Sequence, residues 1–332
     1  MPGPDVAGMM KSIVFTEYGS PDLLRLEDVA KPYPTENEVL VKIHASSINS
    51  WDREFQSGTS NINRLLYGLT KPKRTKQKLG SDIAGTVESV GTNVTRFRPG
   101  DEVFGDLWDS WGGFAEYACT DEGNLEFKPA NLTFAEAAAV PQAGVLALQG
   151  LRTTGRIQSG QKVLINGAGG GVGSFAVQIA KHDGAEVTGV DATHKLDVIR
   201  SLGADHIIDY TKEDFTRNGQ RYDLILDVQA RRSMFSIRRA LEPHGIYAIV
   251  GGTMPRIYQG LLFELWGLVT GGQRFRLVVE GPNKGLADLR ELIEAGHIAP
   301  VVDSIYRLNE VSQAMHRFEE GRHKGKIVIL ND

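Results

Sequence analysis

The sequence predicts an α/β fold in which a doubly wound parallel sheet follows a β-rich region of partly open barrel type. Three observations carry that prediction. A glycine-packed turn, Gly167-Ala168-Gly169-Gly170-Gly171-Val172-Gly173, joins a short apolar run to a helical pattern. Strand-length and helix-length segments alternate through the second half of the chain. Short strands separated by glycine and proline turns fill the first part.

Residues 1–9 contain Pro2, Gly3 and Pro4 but no positive charge and no apolar core, so they are expected to be a disordered extension rather than a signal peptide. Strands are predicted at Ser12–Phe15, Glu38–Ile43 and Ile83–Val90, set apart by turn signals such as Gly19-Ser20-Pro21 and Arg98-Pro99-Gly100-Asp101. Between them, Ser60–Lys78 interleaves Arg64, Lys71, Lys73, Arg74, Lys76 and Lys78 with Leu65, Leu66, Tyr67 and Leu69. It reads as a basic surface loop with an apolar anchor, or as a flap or acidic-partner patch. Phe134–Leu151 is alanine-rich and helical, with Pro141 kinking or splitting it.

Strands then recur near 163–165, 186–191, 206–209, 223–227 and 246–250, with a sixth at Phe275–Val279. Helices are predicted at Leu196–Leu202, Arg231–Leu241, Gly285–Ala295 and Val311–Glu319, and a last strand at Lys326–Leu330.

Composition is that of an ordinary globular protein, 41% hydrophobic and 23% charged, and the 332 residues suffice for two domains. A net charge of −4 points to no nucleic-acid partner. No apolar run is long enough to span a bilayer, and a cytoplasmic setting is expected. One cysteine, Cys119, excludes a disulfide framework and multi-cysteine zinc sites, and reads as a small strand hydrophobe.

The glycine turn carries the chemistry. Its order of strand, loop and helix lets backbone N–H groups and the positive helix end face a pyrophosphate. Gly170, Gly171 and Val172 are expected to present those amides, and Gly173 to permit close helix–strand packing. Asp191 ends the next strand about 18 residues further on, where a carboxylate grips the adenosine ribose of a dinucleotide. That carboxylate repels a 2′-phosphate, whereas Lys195 and His194 nearby attract one, so the cofactor is NAD(P)H with a lean to NADH.

Several further motifs make the chain resemble the medium-chain dehydrogenase/reductase superfamily, in its zinc-free quinone oxidoreductase branch. They are Ala45-Ser46-Ser47-Ile48-Asn49-Ser50-Trp51-Asp52, Leu79-Gly80-Ser81-Asp82-Ile83-Ala84-Gly85, Arg98–Val103, Ala137–Pro141, Ser201–Asp205 with Ile208-Asp209-Tyr210, and His323–Val328. The resemblance covers Met10–Leu330 and implies a Rossmann domain at 141–280, inserted into a chaperonin-10-like catalytic domain at 10–140 and 281–332. The active site would then lie in the cleft between these domains.

By local motif, the positions at which zinc-dependent relatives hold their catalytic metal correspond to Asn49, Ser81 and Gln142, none a usual zinc ligand. No metal site is therefore expected. The acceptor implied is a quinone or an α,β-unsaturated carbonyl, which spreads the incoming charge over a conjugated system. Alternatives are an enoyl reductase of fatty-acid or polyketide type and a non-catalytic NAD(P)H-binding regulator.

By the same resemblance, Asn49 is the candidate catalytic polar group, with a turn cap as its other reading. Trp51 and Tyr67 are candidates for an aromatic wall, or for core packing and surface anchoring. Asp52 and Asp82 are read as structural hydrogen-bonding groups. Tyr210 is placed near the adenine and Gly251-Gly252 near the nicotinamide. A homodimer joined through the last Rossmann strand, Phe275–Val279, is expected.

Overall fold

The computed structural model describes every residue except 1–7, 60–63, 66–67, 74–76, 252–257, 261, 266, 268–271, 280 and 332. The chain divides into two units, one of Met1–Gln142 with Val302–Asp332 and one of Ala143–Val301. Residues 281–301 thus group with the second unit, whereas the sequence reading assigned them to the first.

In chain order the first unit holds β1 (Met9–Val14), β2 (Arg25–Ala30), β3 (Glu38–Ser47), α1 (Ser50–Ser57), β4 (Asp82–Val90), β5 (Glu102–Asp106), β6 (Tyr117–Asp121), β7 (Glu126–Phe127) and α2 (Phe134–Ala138). Met9 already belongs to β1, which pairs antiparallel with β2. Period-two alternation in β3 sends Val39, Val41 and Ile43 into one apolar cluster with Ile83, Val87, Val103 and Leu107. Thr133 caps α2 by accepting from the Glu136 amide, and Pro141 opens a separate helix, α3 (Pro141–Leu148), as its missing N–H predicts.

The second unit continues with β8 (Lys162–Asn166), α4 (Gly171–His182), β9 (Glu186–Asp191), α5 (Leu196–Ser201), β10 (His206–Asp209), β11 (Tyr222–Asp227), α6 (Met234–Ala240), β12 (Leu241–Ile249), β13 (Arg274–Leu277) and α7 (Leu286–Glu294). All its strand pairs are parallel, in the order β10-β9-β8-β11-β12-β13. This is the doubly wound order, with its reversal beside β8, where ligands meet the carboxyl ends of the strands. Leu164, Val190, Ile225, Tyr247 and Phe275 form its core.

Two boundaries differ from expectation for local reasons. Ser233 caps α6 by accepting from the Ser236 amide, so the helix starts at Met234 and not at Arg231. β12 starts directly at Leu241, and the irregular stretch with Pro243 and Gly245 is taken up by a register shift opposite Tyr222 and Leu224.

The chain returns to the first unit with β14 (Val302–Arg307), α8 (Val311–Glu319) and β15 (Lys326–Leu330). A seven-stranded sheet then runs β14-β15-β3-β4-β5-β7, with β6 also on β3. Three distant stretches of sequence, at β15, β3 and β4, lie side by side in its middle.

Candidate active site

In the second unit, the sequence candidates gather at the carboxyl ends of β8 and β9. Val163–Ile165 enter fully buried, and the chain turns at Gly167, whose φ of +91° favours glycine. Gly170 caps α4, and the amides of Gly171, Val172 and Gly173 occupy its first turn, where no helix carbonyl accepts them. A Cβ on Gly173 would stand 2.0 Å from the Gly167 carbonyl oxygen, so only glycine lets α4 close on the turn. A Cβ on Gly170 would meet nothing nearer than 3.4 Å, which leaves room above the loop. Donors, helix end and open space together fit a dinucleotide pyrophosphate.

Asp191 does more than its spacing shows. Its Oδ2 accepts from the Gly169 amide at 2.9 Å and its Oδ1 from Ala192 at 2.8 Å, so the carboxylate staples the glycine loop to the end of β9. The stem of Lys195 packs under Gly169, and Asp191 and Lys195 are both buried. The Tyr210 amide donates to the Asp191 carbonyl at 3.1 Å while the ring stays half exposed. Gly251 follows β12 with φ at +79°, and Gly252 lies outside the described residues. Sequence reasoning missed Asp227, which accepts from Asn166 Nδ2, Tyr247 Oη and the amides of Gln229 and Ala230 at 2.7 to 2.9 Å. It locks together the ends of β8, β11 and β12.

In the first unit, Asn49 stands at the start of α1, its amide donating to Asp52 Oδ2 at 2.8 Å. The Asn49 side chain turns elsewhere: Oδ1 accepts from Lys326 Nζ, and Nδ2 donates to Ser81 Oγ at 3.4 Å. Lys326, only 3% exposed, also pairs with Asp82 at 3.2 Å. Asp82 is fully buried and accepts from Ser47 Oγ and from the Gln142 amide, each at 3.0 Å.

Asp106 completes the cluster through hydrogen bonds with the Ser81 and Gln142 side chains and with the Trp108 amide. Burial, and then the charge of Asp82, raise its pKa. Burial likewise pushes Asp52 up to about 7, although it accepts from the Asn49 and Gly80 amides. The sequence reading named Asn49, Ser81, Asp82 and Gln142, but Lys326 only as part of a family-like ending and Asp106 not at all. Nothing in their spacing joins them; the register of β15, β3 and β4 does.

Trp51 is 38% exposed and stacks on Phe55 at 5.7 Å, and Phe55 meets Trp111 edge-on at 4.7 Å. Trp108 and Trp111 both adopt positive φ, +52° and +48°, an unusual conformation for so large a side chain. Tyr67 lies outside the described residues. In the basic stretch, Arg64 lies over the Tyr18 ring and donates to the Gly58 carbonyl at 2.6 Å, which ties it to the surface. Burial pushes the Cys119 thiol up to about 12, which disfavours the thiolate.

Two family descriptions match the chain: an alcohol dehydrogenase GroES-like domain over residues 35–150 and a zinc-binding dehydrogenase over 202–329. The chain is similar to a 2-methylene-furan-3-one reductase of Solanum lycopersicum, 34% identical over 96% of this chain and 79% of that protein. It is also similar to a chloroplastic NADPH-dependent alkenal/one oxidoreductase of Arabidopsis thaliana, 32% identical with the same coverage. A solved quinone oxidoreductase structure from Coxiella burnetii superposes with a TM-score of 0.85 at 28% identity, covering 97% of this chain and 99% of that one.

Proposed function

This chain belongs to the medium-chain dehydrogenase/reductase superfamily, in its quinone oxidoreductase-like branch, and from that premise we propose that it is a zinc-independent, NAD(P)H-dependent reductase of quinones or α,β-unsaturated carbonyls. The observation that carries the acceptor class is the donor set at Asn49, Ser81 and Gln142. Two amides and a hydroxyl, with the Lys326 ammonium already bearing on Asn49 Oδ1, do not fit a zinc ion. Among the described residues no three His, Cys, Asp or Glu side chains converge elsewhere as a metal-binding group. Without a metal to stabilise an alkoxide, the acceptor must spread its own charge.

The bound nicotinamide supplies the hydride equivalent, and the chain's residues do the rest. The first-turn amides of α4 hold the pyrophosphate, and Gly173 keeps them in place. Asn49 offers an N–H to the acceptor oxygen as negative charge develops there. Asp191 carries its charge to the end of β9, which supports NADH over NADPH. The names of the two plant relatives, a furanone reductase and an alkenal/one oxidoreductase, support an enone acceptor. A cytoplasmic homodimer joined through β13 belongs to the same proposal: β13 is a sheet edge, and its Leu277 and the nearby Val279 are exposed.

NADH and NADPH oxidation with a panel of quinones and enones, with and without a chelator, tests the reading. Chelator-insensitive turnover is expected. Activity confined to simple alcohols and lost on chelation overturns it. Light scattering that finds a monomer at micromolar concentration overturns the dimer.

A further inference from the structure

The function proposed above leaves several buried charged groups without a role, Lys326 among them. Lys326 opens β15 in the middle of the sheet, among the most buried charged residues of the first unit. The β15–β3 register pairs Val328 with Ser47, and the Ile48 amide continues it by donating to the Ile327 carbonyl, which brings Lys326 opposite Asn49. On the other side of β3, Ser47 pairs with Asp82. Three neighbouring strands therefore deliver a cation, an amide and a carboxylate to one point, from positions 277 and 244 residues apart.

An ammonium has donors only, so it fixes which way the amide points. Asn49 must turn Oδ1 toward Lys326, which leaves Nδ2 on the Ser81 side. Ser81 Oγ takes one N–H at a long 3.4 Å and is itself bonded to Asp106. The second N–H of Nδ2 donates to no acceptor among the described residues. A positive charge on the carbonyl end of an amide also withdraws electrons from its nitrogen and strengthens both N–H donors. Asp82 neutralises the buried ammonium without competing for the amide, because its remaining contacts go to Ser47 and the Gln142 backbone.

We infer that Lys326 is a positioning residue acting through Asn49: it locks and polarises the amide so that Nδ2 donates to the oxygen of the reduced acceptor. The inference rests on the quinone and enone reductase reading. It also assigns a purpose to Lys326 within the family-like ending at His323–Val328.

The test is an epistasis cycle in the full-length protein, read by kcat, KM, NADH titration and melting temperature. Asn49→Asp retains an oxygen facing Lys326 but has no N–H. It is expected to fold, to bind NADH with unchanged affinity, and to lose about 10²- to 10³-fold in kcat on an enone with KM within threefold. Lys326→Met is expected to lower kcat at least tenfold in the wild type and by less than twofold in an Asn49→Ala background. Asp82→Asn with Lys326→Met removes the ion pair together, so that no lone buried charge compromises folding, and should reproduce the same pattern. Lys326→Arg, which retains a cation, should recover part of kcat.

Equal kcat losses from Lys326→Met in both backgrounds would overturn the inference. So would a fall in melting temperature with kcat unchanged. Full activity in Asn49→Asp would overturn it while wild-type turnover still upheld the oxidoreductase reading; absence of wild-type turnover on every quinone and enone would instead remove that reading.

Discussion

The two units make their functional groups in opposite ways. In the second, the proposed phosphate cradle is a single continuous stretch, Gly167–Gly173, whose shape follows from local backbone rules. In the first, Asn49, Ser81, Asp82, Asp106, Gln142 and Lys326 come from separate parts of the chain and meet only through sheet register and side-chain hydrogen bonds. A contiguous backbone site tolerates change around it but not within it. A dispersed side-chain site can lose its chemistry and keep its fold.

The sharpest way to break that contrast is Asn49→Ala. It should lower kcat about 10²-fold or more, some 2.7–4 kcal/mol of transition-state stabilisation, while NADH affinity measured by fluorescence titration stays unchanged. Gly173→Ala should do the reverse. Its Cβ would overlap the Gly167 carbonyl, so the loop must open, with about 1–3 kcal/mol of stability lost and nucleotide binding impaired. Calorimetry and the same titration measure both; a variant that binds NADH normally would refute the packing argument.

A third prediction concerns pH and isolates the first unit. Asp52 and Asp106 both have raised pKa values in the folded state, chiefly from burial. Above the ordinary carboxylate range the unfolded chain has lost protons that the folded one retains, so stability falls as pH rises toward about 7 and levels beyond it. Melting temperature should decline from pH 5 to pH 8, less steeply in Asp106→Asn. Equal slopes would remove Asp106 as a cause.

Smaller effects are expected at the nucleotide end. Asp191→Ser should shift preference toward NADPH by about tenfold, some 1.4 kcal/mol, and weaken both nucleotides, because the Gly169 amide loses its acceptor. Competition titrations with the two nucleotides measure it. Gly251→Ala meets no described atom within 4 Å, only an unfavourable φ, and should cost about 1–2 kcal/mol of stability, which calorimetry measures.

The same contrast governs what the sequence discloses. Strand–glycine–helix order identified β8 and α4, and apolar runs placed β9, β10 and β15 within a residue or so, because each signal lies within one short window. Pro141 and the split helix were legible for the same reason. The start of β12 was not, since a strand carrying Pro243 and Gly245 reads as a turn until its partner strands hold it. In the candidate site, motif resemblance found Asn49, Ser81 and Gln142 but could not say what holds them. Lys326 looks like any surface lysine opening a strand, and Asp106 like any acid closing one; their burial exists only once β15, β3, β4 and β5 are assembled. The positive φ at Trp108 and Trp111 likewise has no signature in residue type.

The bond from Asp191 to Gly169 also limits how the lineage can change cofactor. Under the proposed function, the carboxylate that braces the loop through the Gly169 amide is also the one that would meet the ribose, so selectivity and loop rigidity would not be separable traits at this position. A descendant that trades the acid for a small neutral residue loosens its grip on every dinucleotide at once. Adaptation toward a different reductant pool therefore requires a second change that restores the brace, and the order of the two substitutions matters: the brace first, the acid second.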